Sequence, residues 1–173
     1  MIDIRPENPS DFEKISEINN LAFGQENEGK LVSLIRNSPH FIPALSLVAE
    51  KNGKVAGHIL FSEVMIETSR GAIVNTIGLA PMAVTPDLQN QGIGSALVMA
   101  GLERCKELGC EHIVVLGHPE FYPRFGFEPS VKFGIKPPLP VPENVFMVLE
   151  LTEGALDGIE GKVKYPPAFN EVS

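Results

Sequence analysis

The sequence predicts a mixed α/β fold: a central twisted sheet, mostly antiparallel, with one parallel βαβ unit and helices flanking it. Three observations carry that expectation. Two segments near the N-terminus repeat apolar residues at helical spacing, and Asn52-Gly53 joins two strand-like runs with a dipeptide that strongly marks a tight hairpin. Further on, a strand-like run, a glycine turn, a long helical run and a second apolar strand follow in the order of a βαβ unit.

Residues 2–5 alternate as a short strand. Pro9-Ser10-Asp11 then opens a helix to about Phe23, with Phe12, Ile15, Ile18 and Ala22 as its buried stripe. A second helix over residues 26–37 puts Leu31, Leu34 and Ile35 on one face, and Ser38-Pro39 ends it. Residues 44–51 and 54–68 are the strands of the hairpin, Arg70-Gly71 makes the next turn, and residues 76–84 form the strand that feeds the glycine turn. The helix that starts at Gln91 stops at Gly109, with Arg104 and Lys106 in its last turns, where cations complement the helix dipole. Residues 112–117 are the fully buried kind of strand, and the right-handed crossover rule sets them parallel to residues 76–84. A short helical turn over residues 121–125 and a proline-rich stretch over 137–142 lead to a last hairpin strand at 145–151.

At 173 residues, with 43% apolar and 21% charged content, the chain can bury one proper core, and residues 1–173 read as a single domain. Its apolar runs are too short to span a bilayer and its N-terminus lacks a signal-peptide pattern, so a cytoplasmic setting is expected, with no membrane partner. Cys105 and Cys110 have neither Cys-x-x-Cys nor His pairing and read as two reduced core cysteines. A net charge of -8 argues against nonspecific binding of nucleic acid. Four scattered histidines and no carboxylate cluster at ligand spacing imply no metal.

The functional signal is Gln89-Asn90-Gln91-Gly92-Ile93-Gly94-Ser95. Ile93, Leu97, Ala100 and Leu108 recur on one helical face after it, so the glycines sit at a helix N-terminus. Backbone N–H groups there lack intrahelical acceptors and the dipole is positive, so a diphosphate can be held without a lysine. A side chain at Gly92 or Gly94 would hold that ligand away. The dinucleotide fingerprint needs a third glycine, yet Leu97 stands three residues after Gly94. A nucleoside triphosphate loop needs Gly-Lys followed by Ser or Thr, yet Ile93 and Ser95 follow these glycines.

What remains is the pattern Gln/Arg-x-x-Gly-x-Gly/Ala. The string Leu79-Ala80-Pro81-Met82-Ala83-Val84-Thr85-Pro86-Asp87-Leu88-Gln89-Asn90-Gln91-Gly92-Ile93-Gly94-Ser95-Ala96-Leu97-Val98 resembles the strand, loop and helix of the GNAT acetyltransferase superfamily almost position by position. Glu120-Phe121-Tyr122-Pro123-Arg124-Phe125-Gly126-Phe127 resembles that family's Phe-Tyr-x-x-x-Gly-Phe segment. The stretch Gly161-Lys162-Val163-Lys164-Tyr165-Pro166-Pro167-Ala168-Phe169 is similar to the C-terminal segment of the YhbS-like subgroup. The resemblance implies the GNAT acyl-CoA N-acyltransferase fold, acetyl-CoA as the acyl-donor cosubstrate, and a small-molecule or peptide amine as acceptor. Assembly as a homodimer stays open.

By that resemblance, Gln89, Asn90, Gln91, Gly92, Ile93, Gly94 and Ser95 hold the pyrophosphate of CoA, and Met82, Ala83 and Val84 carry the pantetheine arm along the strand. Arg124 either reaches a CoA phosphate or is simply solvated. Transfer to an amine needs a deprotonated nucleophile, an oxyanion donor and a proton for the departing thiolate. Tyr122 matches the family's tyrosine near the CoA sulfur and is the expected acid. Many relatives place a basic carboxylate on the strand before the glycine turn, but residues 75–84 contain no Asp, Glu or His. Substitutes are Glu28, Glu63 and His118, of which His118, at the C-terminal end of the apolar strand, is best placed by topology. His58, on the hairpin, reads as a satisfied, partly buried histidine. The competing readings are transfer of a longer acyl group, transfer to a hydroxyl or thiol, and an acyl-CoA sensor without turnover. The mouth of the acceptor site is expected around residues 23–28, 133–142 and 165–169.

Overall fold

In the computed structural model, which describes residues 1–170, Asn52 and Gly53 sit at φ 54° and 77°. Paired positive values of this kind match the twist of the flanking strands, and the turn joins β2 (Phe41–Lys51) to β3 (Lys54–Thr68). With β1 (Ile2–Pro6), β4 (Ile73–Val84) and β5 (His112–Leu116) they form the body of a nine-stranded sheet. Four further strands complete it: β6 (Glu128–Pro129), β7 (Ile135–Lys136), β8 (Phe146–Glu150) and β9 (Gly161–Lys164). The main path runs β1-β2-β3-β4-β5-β8-β6, and all neighbours along it are antiparallel except β4 and β5. The connection between those two is α3 (Ile93–Glu107), so the expected βαβ unit is present.

One edge of β3 is shared by two partners. Its first part pairs with β2 as far as Ser62, and its last four residues, from Met65 to Thr68, pair with β9. The strand β9 also takes β7 as a two-residue parallel partner. The strand expected at residues 145–151 is therefore β8, but it is not the last, because the chain returns to extend β3.

The two N-terminal helices are α1 (Phe12–Phe23) and α2 (Asn27–Arg36). The entry to α1 is a 3-10 turn at Pro9–Asp11, where Asn8 Oδ1 accepts from the Ser10 N–H at 3.0 Å and Asp11 Oδ2 accepts from the Asn8 N–H at 2.9 Å. Ile15 and Ile18 of α1 and Leu31, Val32 and Ile35 of α2 are buried. The buried face of α3 keeps the expected Ile93 and Leu97 but is turned from there: Val98, Gly101 and Cys105 also pack inward, whereas Leu108, just past the helix, is exposed. Gly101 explains the rotation, because the Phe61 ring lies where a Cβ would be and so draws that face onto the sheet.

His58 is completely buried rather than partly so, and it is the middle of a polar chain. The Asn19 amide donates to the Ile15 carbonyl at 3.0 Å and to His58 Nδ1 at 3.3 Å. That assigns the proton to His58 Nε2, which donates to Ser46 Oγ at 3.0 Å, and the Ser46 hydroxyl donates to Glu7. Glu7 closes the chain with a two-pronged pair to Arg36, at 2.7 and 3.0 Å. The Arg36 guanidinium also lies 3.8 Å over the Phe12 ring, so α1, α2, β2 and β3 are tied at one point. Burial, reinforced by the nearby Arg36 charge, brings the His58 pKa down to about 3.

Because the unfolded state takes up this proton near its ordinary 6.5 and the folded state does not, stability is retained above pH 6.5 and lost as pH falls toward 3. His112, whose pKa burial also lowers, adds to the loss. Urea unfolding at pH 6.5 and at pH 5 is expected to differ by roughly 2 kcal/mol. A flat profile between them would show that His58 is charged in the fold.

Candidate active site

Only three residues of β4 pair with β5, Ile77 to Leu79 against Ile113 to Val115. Beyond them the strands part. Between Leu79 and Met82 β4 carries one more residue than β3 does between Phe61 and Ile59, a bulge that bends the strand at Ala80-Pro81. Pro81 has no N–H to offer a neighbour on either edge. Met82, Ala83 and Val84 then pair with Ile59, His58 and Gly57 of β3 on one side only, and their other edge faces open space.

That space is a cleft of about 630 Å³. One bank is the end of β4 with the glycine turn, and the other is His118, Phe121, Tyr122 and Arg124. Of the residues expected from the sequence, Met82, Ala83, Val84, Gln89, Asn90, Gly92, Ile93, Gly94, Ser95, His118, Tyr122 and Arg124 all line it. Gln91 does not: its side-chain oxygen accepts from Lys51 Nζ at 3.1 Å, on the outer side of the turn. The left-handed φ values of Asn90 (64°) and Gly92 (88°) on either side of it reverse the chain direction and carry its side chain outward.

Gly92 caps α3 without any side-chain acceptor, and the first backbone bond of the helix runs from the Ala96 N–H to the Gly92 carbonyl at 3.0 Å. The N–H groups of Ile93, Gly94 and Ser95 therefore have no intrahelical partner, and the positive end of the helix dipole points into the cleft. Gln89 Nε2 donates to the Val84 carbonyl at 3.1 Å and fastens the turn to the strand it follows. A Cβ on Gly94 would stand 3.5 Å from Met82 Cε and 3.9 Å from Phe121 Cζ, on the cleft floor. Anything bound along that floor needs the hydrogen.

Tyr122 begins a 3-10 turn, Tyr122–Phe125, that follows β5. Its ring meets Phe121 edge-on at 5.0 Å and Phe127 at 5.7 Å, and Gly117 backs it so closely that a Cβ there would overlap Tyr122 Cε2. The residue is 6% exposed, yet its hydroxyl has no hydrogen-bond partner among the described residues. Burial pushes the phenol pKa up to about 12, so the proton stays on the oxygen at neutral pH. His118 is exposed in the same cleft, and its carbonyl accepts the N–H groups of Phe121 and Tyr122 at 3.2 and 3.4 Å, leaving the imidazole free of that turn. Arg124 sits 4.8 Å from the Phe121 ring centroid and makes no ion pair among the described residues.

The other base candidates are elsewhere. Glu63 lies in a small hollow with Cys110 and His112, toward the far end of β4, and Glu28 accepts from Gln25 at 2.8 Å on α2. The cleft also takes residues the sequence reading did not assign to cofactor binding: Ala22 and Phe23 from the end of α1, Leu88 before the turn, and Phe121. The exposed Phe23 just before the helix-ending Gly24 was the available signal. A second cleft of about 600 Å³ opens from the same gap, reached through Ala80 and Leu116 and walled by Pro138, Leu139, Tyr165 and Phe169.

A bare helix N-terminus, an unpaired strand edge and a buried phenol around one gap define a protein that binds a phosphorylated ligand with an extended arm and acts beside it. The profile of the acetyltransferase (GNAT) family matches residues 12–127. The chain belongs to that family and is an acyltransferase. It is 40% identical over 136 residues to N-acetyltransferase YjhQ of Escherichia coli, covering 78% of this chain and 75% of that protein. It is 35% identical to Escherichia coli N-acetyltransferase YhbS, covering 96% of this chain and 98% of that protein. The crystal structure of YhbS in complex with CoA superposes with a TM-score of 0.89, at 35% identity, over 98% of this chain and 92% of that one. A Brucella melitensis GNAT acetyltransferase in complex with acetyl-CoA gives 0.79 at 33% identity, over 98% of both chains.

The Gly117 and Tyr122 contact is open to test. Gly117→Ala is expected to cost about 1–3 kcal/mol of stability through overpacking. In a Tyr122→Ala background, which removes the ring, most of that cost is expected to vanish in urea unfolding; an unchanged cost would mean that the ring does not rest on Gly117.

Proposed function

We propose that the chain transfers the acetyl group of acetyl-CoA to a primary amine by direct attack in a ternary complex. The observation that carries this reading is one gap in the sheet that opens on two sides, with the glycine turn and Tyr122 on one cleft and an apolar second cleft on the other. Two clefts meeting at one gap allow donor and acceptor to be held at once, which suits direct transfer without a covalent enzyme intermediate. The CoA and acetyl-CoA complexes of the similar proteins support the donor.

The residues present fit CoA. The free N–H groups of Ile93, Gly94 and Ser95 suit a pyrophosphate, Arg124 offers a cation at the rim, and the open edge of Met82, Ala83 and Val84 suits the amide-bearing arm. Bound acetyl-CoA supplies an activated thioester. The amine nitrogen attacks the thioester carbonyl carbon, a backbone N–H of the open β4 edge steadies the oxygen, and the carbon–sulfur bond breaks. Tyr122 gives its proton to the departing sulfur, and His118, directly or through water, takes the proton the amine loses. His118 fills the role for which β4 has no carboxylate.

The described residues share one sheet, which supports a single domain. Among them no helix is long and apolar enough to cross a membrane, and both cysteines are free thiols, in keeping with a reducing, cytoplasmic setting.

Release of CoA in the presence of amines tests the reading. Tyr122→Phe is expected to lower kcat by roughly 100-fold or more with little change in the KM for acetyl-CoA, as loss of a general acid should. Gly94→Val is expected to weaken CoA binding at least tenfold, or about 1.4 kcal/mol, by calorimetry. Tight acetyl-CoA binding with no turnover on any amine would make the protein a sensor instead, and preferred turnover of hydroxyl or thiol acceptors would move the acceptor class.

A further inference from the structure

The second cleft starts beside Ala80 and Leu116 at the gap. Just before Ala80 on β4, Gly78 has the Tyr165 ring over it, with Cε1 3.3 Å from where a Cβ would stand, and the Phe169 ring stacks on Tyr165 at 4.6 Å with a 34° tilt. Leu31 of α2 belongs to the same apolar cluster as Phe169, and Pro138 and Leu139 complete the walls. Leu116 and Leu139 remain 44% and 50% exposed, so apolar surface is left uncovered along the cleft.

Strand alternation decides which charges reach it. Val163 pairs with Ile66, and both share an apolar cluster with Tyr165 and Val64 on the sheet face that carries Gly78. Lys162 and Lys164 alternate with Val163 and turn to the other face, where Lys164 Nζ lies 3.7 Å from Glu67 Oε2. These three are the charged residues of the lining among the described residues, so they border the cleft without bringing a charged end into it. The polar groups that remain, Asn170 and the Tyr165 hydroxyl, are uncharged at neutral pH, because burial pushes the Tyr165 phenol up. A second ammonium or a carboxylate on an acceptor would lose water here and find no opposite charge.

Resting on the transfer reaction above, we infer that the acceptor is a primary amine carried on an apolar body with no second charge. The amine reaches the gap beside Ala80 and Leu116, and the body lies against Leu139, Tyr165 and Phe169. Polyamines, aminoglycosides and amines that bear a free carboxylate are disfavoured by the same lining.

Three probes share one ring and differ in charge: cyclohexylmethylamine, the same amine with a carboxylate across the ring, and the same amine with a second aminomethyl group there. In the CoA-bound protein the plain amine is expected to bind roughly tenfold tighter than either charged analogue by calorimetry. The same order is expected in kcat/KM with acetyl-CoA as donor. Leu139→Glu, at a half-exposed position, is expected to narrow the deficit of the diamine roughly threefold while leaving CoA affinity unchanged. Equal affinities, a charged analogue that binds best, no binding of any probe, or a diamine deficit that Leu139→Glu leaves as it was would each overturn the inference. The expected binding order with no acetylation of any probe would uphold the chemistry of the cleft and sink the transfer reaction alone.

Discussion

The shortness of the β4 and β5 pairing governs the molecule. Three residues of parallel ladder hold the two halves of the sheet together, and then the bulge at Ala80-Pro81 turns one strand away while the other ends at Leu116. Had the pairing continued, the open edge of Met82 to Val84 would be consumed as ladder bonds and no cleft would exist on either face. The cost of leaving backbone groups unpaired is limited by letting water or a ligand reach them. The remaining features brace the two banks of this opening: Gln89 pins the turn to Val84, and Gly117 admits the Tyr122 ring against the end of β5.

The buried polar chain from Asn19 to Arg36 belongs to the same bracing. His58 stands opposite Ala83 in the β3 and β4 register, so the point where four elements are tied lies directly behind the open strand edge. An apolar residue at 58 would pack there too, but it would not select a single arrangement of α1 over β3. A hydrogen-bonded chain with defined donors and acceptors does, and it penalises any shift that leaves one of them unpaired.

Much of this was legible because it is local. Asn52-Gly53 determines its own turn type, and the spacing of Gln89, Gly92 and Gly94 determines a helix start whose N–H groups are free. What escaped was set by distant parts of the chain. The inward face of α3 depends on the Phe61 ring reaching Gly101, and the place of β9 depends on β2 ending early along β3. The resemblance ran through the Gln89 to Ser95 string as a unit, whereas the backbone reverses direction within it and divides its side chains between two sides.

The use of one β3 edge by two partners has a consequence for how such a protein can change. The glycine turn, the open strand and Tyr122 all fall within residues 12–127, the part that matches the family profile. The wall of the second cleft comes largely from residues after it, Pro138, Leu139 and the strand and loop from Lys162 to Phe169. Because β9 is added to β3 end to end with β2 and carries only the two-residue β7 on its other side, that wall can be rebuilt by insertion, deletion or substitution without moving the register of the sheet from β1 to β6. The part of the chain that the family profile covers and the wall of the second cleft are thus written in separate stretches and can diverge at different rates.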